Sequence, residues 1–386
     1  MRIVDIRERS VPISRYADPA MPSGGLTTSI VAVVMDVTRN GRPVIGYGFG
    51  SMGRFAQGGL IRERFAPRLL AAADIATADG TGLDPFRAWD AMMASEKAGG
   101  HGERCVAVGA LDMALWDAAA KLADLPLHRL LAERLPEARP AHGALAAYAG
   151  GGYRYPADDI ARLCDEIRHL RDLGYASVKI KIGDLPVAPD LRRIEAASAL
   201  LPGHCLAVDA MNRYGPAESL AAAEALAPFG LRWFEDVCDP LDFETQSSVT
   251  ARYDGAIAAG EALFSEAEAK LLHRHGGLRP NRDILVFDPV HCYGLPGYLK
   301  ILRALEAEGW PRSAFWPHGG HLFCQHIVAA LGLGGVEVNA LCFAPFGGLV
   351  DGAAPVEGRV RPPDAPGIGF RQKAPLRALL ESLFGA

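Results

Sequence analysis

Six short apolar segments recur along the middle of the chain, each carrying an ionisable residue at or beside its end: Ser177–Ile182, Leu206–Asp209, Trp233–Glu235, Ile257–Glu261, Ile284–Asp288 and Ala314–His318. Measured between Lys181, Asp209, Glu235, Glu261, Asp288 and His318, the intervals are 28, 26, 26, 27 and 30 residues. A strand of about five residues, a helix of about twelve and two short loops together need roughly 25–30 residues. A helical pattern, Asp158–Leu173, precedes the first segment, and further helical stretches alternate with the strands after it. Strands alternating with helices at this pitch build a parallel sheet, either a (β/α) barrel or a doubly wound sheet. In a barrel the C-terminal strand ends converge on one mouth, so six ionisable side chains would face a single point.

The flanks read differently. Residues 1–130 carry two β-rich runs, Ile30–Val37 and Pro43–Phe49, joined across Asn40-Gly41, a strong hairpin turn signal. Helical spacing follows over Ile61–Ala73, Pro85–Ala94 and Arg104–Leu122. Residues 346–386 are rich in Gly and Pro and are expected to return to this N-terminal unit, leaving 131–345 as the barrel. The 386 residues are 49% hydrophobic and 22% charged with a net charge of −5 and no long basic run, which disfavours nucleic acid as a partner. Seven scattered cysteines without a C-x-x-C pair read as reduced thiols. The charged start Met1-Arg2-Ile3-Val4-Asp5 lacks a signal-peptide pattern and no long apolar span follows, so a cytoplasmic enzyme without membrane contact is expected.

One acid at a loop start is ordinarily solvated surface. Three in register, Asp209, Glu235 and Glu261, would repel one another unless a cation neutralised them, and an all-carboxylate set selects a hard divalent ion, with Mg²⁺ first. Lys179 and Lys181 share one strand face, so both ammonium groups point into the barrel while Val178, Ile180 and Ile182 pack outward. Mutual repulsion and desolvation are expected to lower at least one of their pKa values, making a base. Asp288 is placed to orient the imidazole of His318. His318 ends a strand whereas His321 begins a helix, so His318 is the expected acid, although the pattern leaves His321 as its rival.

The Lys-x-Lys strand, the Asp209/Glu235/Glu261 ladder, the Asp288 and His318 strand ends and the stretch Pro363–Phe370 resemble the enolase superfamily, in its mandelate racemase/muconate lactonizing enzyme branch. That resemblance covers essentially the whole chain. It implies an α/β fold, a modified TIM barrel under an α+β capping domain formed by the N-terminal region and C-terminal tail. It further implies Mg²⁺ on Asp209, Glu235 and Glu261, Lys181 as base with Lys179 beside it, and an Asp288–His318 dyad. Gln57–Phe65, Glu96–Arg104, Pro317–His321 and Gly332–Gly335 are most similar to the D-tartrate dehydratases of that family. Met211 stands where the pattern usually has Asn, with Asn212 one place later.

These readings imply a small carboxylate substrate, proton abstraction beside its carboxylate and loss of water through an enediolate, with D-tartrate to oxaloacetate as the specific expectation. Lys97, Asn212, His321 and Glu337 are the expected substrate contacts, with the loops Tyr16–Thr27 and Phe49–Gln57 setting specificity. Lys97, flanked by glycines, is the expected anchor for a second carboxylate. A homo-oligomer is expected. Two rivals remain: a racemase or epimerase on the same scaffold, and, from Gly48-x-Gly50-x-x-Gly53 after a strand, a dinucleotide-dependent oxidoreductase.

Overall fold

The computed structural model of the protein describes residues 1–21 and 23–384. Its first layer is an antiparallel sheet of β1 (Ile3–Pro12), β2 (Thr27–Arg39) and β3 (Arg42–Phe49) in that order. The β-branched run Ile30–Val34 buries β2 on both faces. Asn40 and Gly41 adopt φ of 49° and 74°, the conformation a tight hairpin demands. The sequence pattern does not mark β1, because its Arg and Glu side chains obscure the alternation; Arg7 and Arg9 instead bond Leu383 and Ser382 near the other end of the chain.

The Gly48-x-Gly50-x-x-Gly53 motif serves packing. A Cβ at Gly48 would sit 2.2 Å from the Ala110 carbonyl, and one at Gly46 would sit 1.9 Å from that of Ala114. These strand glycines let the buried helix Glu103–Ala123 lie directly on β3. No helix opens immediately after Gly53, as a pyrophosphate cradle requires. The motif therefore does not form the strand–turn–helix cradle of a dinucleotide site.

The second layer is a curled parallel sheet of β4 (Leu145–Gly150), β5 (Val178–Lys181), β6 (Leu206–Asp209), β7 (Phe234–Glu235), β8 (Ile257–Ala259), β9 (Ile284–Leu285) and β10 (Val336–Val338). They run in the order β10-β4-β5-β6-β7-β8-β9. The segment Ala314–His318, expected as a regular strand, makes only an isolated bridge from Phe315 to Leu285. It still occupies the gap: Trp316 N–H donates to Leu285, His318 N–H to Val286, and Gly334 N–H to Phe315. A short strand β11 (Arg359–Val360) adds antiparallel to β4.

Alternation then sorts the side chains. Val178, Ile180, Val208, Phe234, Ile257 and Leu285 join the large core beneath the helices. Tyr148, Ala207, Trp233, Ala258, Val286 and Trp316 form a separate apolar cluster inside the barrel. The C-terminal tail crosses back to the first layer, where the Ile368 N–H donates to buried Asp117 at 2.9 Å and helix Ala374–Glu381 packs on β2. Among the described residues, no helix is long and apolar enough to cross a membrane.

Candidate active site

Above the apolar cluster, the next inward positions after Ala207, Trp233, Val286 and Trp316 are the ionisable Asp209, Glu235, Asp288 and His318, whereas β4 carries Gly150 there. Lys181 pairs in register with Asp209, and Asp209 with Glu235, so neighbouring strands deliver these groups at one level. β8 breaks the period: Gly260 at φ 126° turns the chain so that Glu261, three residues beyond inward-facing Ala258, still joins the group. One oxygen from each of Asp209, Glu235 and Glu261 lies within 4.8 Å of the others.

Lys179 is fully buried and pairs with Glu235, with Asp209 at 3.5 Å and with Glu337 at 3.3 Å. Lys181 pairs with Asp209. Burial works against both ammonium charges, yet Glu235 and Glu337 around Lys179, and Asp209 beside Lys181, outweigh it and hold both pKa values well above the ordinary lysine value. The expectation of a lowered lysine pKa is thus reversed, because the carboxylates paired with each lysine outweigh burial and the neighbouring cation. Burial raises Glu235, while Lys181 and Lys179 overcome burial at Asp209 and lower it. The Trp233 indole N–H donates to Glu235 Oε2 at 2.6 Å, tying the apolar cluster to the charged layer.

His318 Nδ1 contacts Asp288 Oδ2 at 2.9 Å, and Nε2 faces Glu261 Oε2 at 3.5 Å. Against its burial, Glu261 and Asp288 raise its pKa to about 9, which favours the protonated imidazole. His321 is different. Burial lowers it to about 4, and its Nε2 lies 3.1 Å from the Ser51 hydroxyl. Ser51, on a loop of the first layer at φ 60°, donates to Asp288 Oδ2 at 2.6 Å. A Cβ at Gly319 would crowd His321, Ser51 and Asp288 at 2.8–3.1 Å, so glycine is needed there.

A cavity of about 310 Å³ opens above this layer, lined by Lys181, Glu261, His318, Asn212 and residues of the first-layer loops. Asn212 also donates to Asp236 Oδ2 at 2.8 Å. Three expected substrate contacts do not line the cavity. Glu337 lies beneath it, accepting from the Gly319 N–H and pairing with Lys179. His321 sits behind the Asp288–His318 pair. Lys97 is exposed and borders a separate pocket with Trp89, Tyr293 and Lys300. The sequence reading assigned no role to Ser51, Asp236, Arg15 or Arg54; Ser51 and Arg54 fell within a loop marked for specificity, and none sits on the regular spacing.

The Enolase C-terminal domain-like family matches residues 162–374, and the mandelate racemase/muconate lactonizing enzyme N-terminal domain family matches residues 32–132. The chain belongs to the enolase superfamily, in its mandelate racemase/muconate lactonizing enzyme branch. Arabinonate dehydratase of Saccharolobus solfataricus is 25% identical over 287 residues, spanning 73% of this chain and 74% of the relative. D-galactarolactone cycloisomerase of Agrobacterium fabrum is 32% identical over 288 residues, spanning 70% and 73%. The solved L-talarate dehydratase from Polaromonas sp. JS666, complexed with Mg and L-glucarate, superposes with a TM-score of 0.73 at 26% identity, covering 95% of this chain and 94% of the other. The fold of this branch, a TIM barrel under an N-terminal cap, is the architecture described above.

Enolase-superfamily enzymes use Mg²⁺, and the residues here fit it. Asp209, Glu235 and Glu261 offer only oxygens, and Glu261 Oε2, a buried atom, makes no hydrogen bond and is met only by the 3.5 Å approach of His318 Nε2. The triad is therefore the candidate cation site.

Proposed function

We propose that the protein is a Mg²⁺-dependent hydro-lyase acting on an acid sugar or hydroxy-diacid, with D-tartrate to oxaloacetate as the reaction. One observation carries this reading: Lys181 and His318 both line the same cavity as Glu261, each braced by its own buried carboxylate. Asp209, Glu235 and Glu261 would hold a divalent cation, which would supply positive charge to stabilise an enediolate and would draw Asp209 away from Lys181.

The free amine of Lys181 takes the α-proton, and the C–H electron pair becomes the new carbon–carbon double bond. Lys179, further down the same strand face, keeps a positive charge beneath the carboxylates. The β C–O bond breaks, and its oxygen leaves as water with the proton of His318 Nε2. Asp288 holds Nδ1 and stabilises the imidazolium before transfer, while Ser51 fixes Asp288. The enol then tautomerises to the keto acid. The relatives named dehydratases and the tartrate-like stretches Gln57–Phe65 and Glu96–Arg104 support dehydration.

The test is keto-acid formation from a panel of acid sugars and hydroxy-diacids with Mg²⁺. Oxaloacetate from D-tartrate is expected. An epimeric acid without any keto product would assign the same two residues to racemisation instead.

A further inference from the structure

We infer that Arg15 and Arg54, supplied by the first-layer loops, hold a second carboxylate, so that the cavity selects dicarboxylates. The inference rests on the proposed carboxylate chemistry and replaces Lys97 as the distal anchor. Both guanidinium-bearing residues line the cavity with Lys181, Glu261 and His318. Both are half-buried. Every other cation of the lining is already matched: Arg213 pairs with Asp184 at 2.5 Å, Lys181 with Asp209, and His318 with Asp288. Among the described residues, neither Arg15 nor Arg54 has a carboxylate within 4.0 Å, and Glu261 is the one acid of the lining.

Aromatic rings hold the two arginines in place. The Arg54 guanidinium stacks 4.7 Å above Phe264, and that ring packs edge-on against His291. Arg15 donates to the Ser23 carbonyl at 3.3 Å and stacks 5.6 Å from the Tyr153 ring centroid. Lys181 Nζ lies 5.5 Å from the same centroid. One arginine thus borders the base and the other borders the histidine side. Stacking orders the guanidinium plane while leaving its N–H groups for an anion, and a fork of such donors matches a carboxylate. A monocarboxylate engaged at the cation site would leave both charges facing an uncharged end, whereas a dicarboxylate of suitable length satisfies them.

Two four-carbon acids that differ only at the far end test this: malate and 2-hydroxybutyrate, each enantiomer titrated calorimetrically into the protein with Mg²⁺. The wild type should bind its preferred malate at least tenfold more tightly than the matching 2-hydroxybutyrate. Arg15→Met/Arg54→Met should reduce that ratio below threefold, and Arg54→Lys alone should retain part of it, which separates lost charge from lost packing. Equal affinities in the wild type, an unchanged ratio in the double variant, or loss of the ratio in Lys97→Met instead would overturn the assignment. A wild type that prefers malate but forms no keto acid from any panel member supports the anchor and rejects the dehydratase reading. Keto-acid formation without a malate preference does the reverse.

Discussion

Along Ala207–Asp209, Trp233–Glu235, Val286–Asp288 and Trp316–His318, side chains two residues apart form two rings of opposite character, and only on β5 are both levels charged, Lys179 lying in register with Ala207 and Lys181 with Asp209. The lower, of Tyr148, Ala207, Trp233, Ala258, Val286 and Trp316, is dry and aromatic, with ring centroids 5.0–6.1 Å apart. The upper, of Lys181, Asp209, Glu235, Asp288 and His318, is equally buried yet charged throughout. Packing stabilises the first. In the second, each charge is matched by an opposite one, an arrangement that does not itself favour folding, since buried ion pairs are often no better than apolar residues. The lower ring reads as scaffold and the upper as chemistry, and substitutions in each should separate stability from turnover.

The largest effect is expected in the upper ring. Lys181→Ala should cut deuterium exchange at the substrate α-carbon by about 10³-fold or more. His318→Asn should stop dehydration while α-exchange survives. If His318→Asn abolished exchange and Lys181→Ala preserved it, the two roles would be interchanged. Glu235→Gln, or excess EDTA on the wild type, should likewise abolish keto-acid formation, and undiminished turnover in EDTA would remove the cation from the site.

The lower ring should respond the other way. Trp233→Ala leaves a cavity in a tightly packed cluster and should cost about 3–5 kcal/mol of folding free energy by denaturant titration. Trp233→Phe should recover much of that stability yet leave Glu235 without its indole donor, so any residual loss of Mg²⁺ affinity in that variant measures the coupling between rings. Full Mg²⁺ affinity in Trp233→Phe would make the rings independent.

The smallest effect sharpens the electrostatic contrast. His318 is held protonated by acids, whereas His326, outside both rings, accepts from the His128 N–H at Nδ1 (3.0 Å) and has its Nε2 3.1 Å from the Ile368 carbonyl, a pairing that fits the neutral ring. Burial lowers its pKa to about 3. The unfolded chain, with a histidine pKa of about 6.5, takes up this proton first as pH falls, so stability declines below that value and the loss levels off near pH 3. By pH 5 His326 should account for about 2 kcal/mol of destabilisation. His326→Gln should show a correspondingly shallower decline between pH 7.5 and 5, and parallel slopes would show that the imidazole is not held neutral.

Much of this was legible in sequence because it is local. Successive strand residues point to opposite faces, so Lys179-Ile180-Lys181 declares its inward charges without knowledge of any neighbour, and the 26–30-residue pitch is the length of one βα unit. The hairpin at Asn40-Gly41 was visible for the same reason. β4 and β10 were not, since their Ala-rich or three-residue stretches carry little pattern. Tertiary structure alone decided the rest. Ser51 meets Asp288 across 237 residues of chain, Arg54 rather than Lys97 borders the cavity, and Glu261 reaches the carboxylate triad through the turn at Gly260. The charge of the lysines was decided there too: their pKa values depend on distances to Asp209, Glu235 and Glu337, which lie on other strands and are fixed only when the barrel curls. Backbone periodicity is written in neighbouring residues, but an electric field is a sum over space.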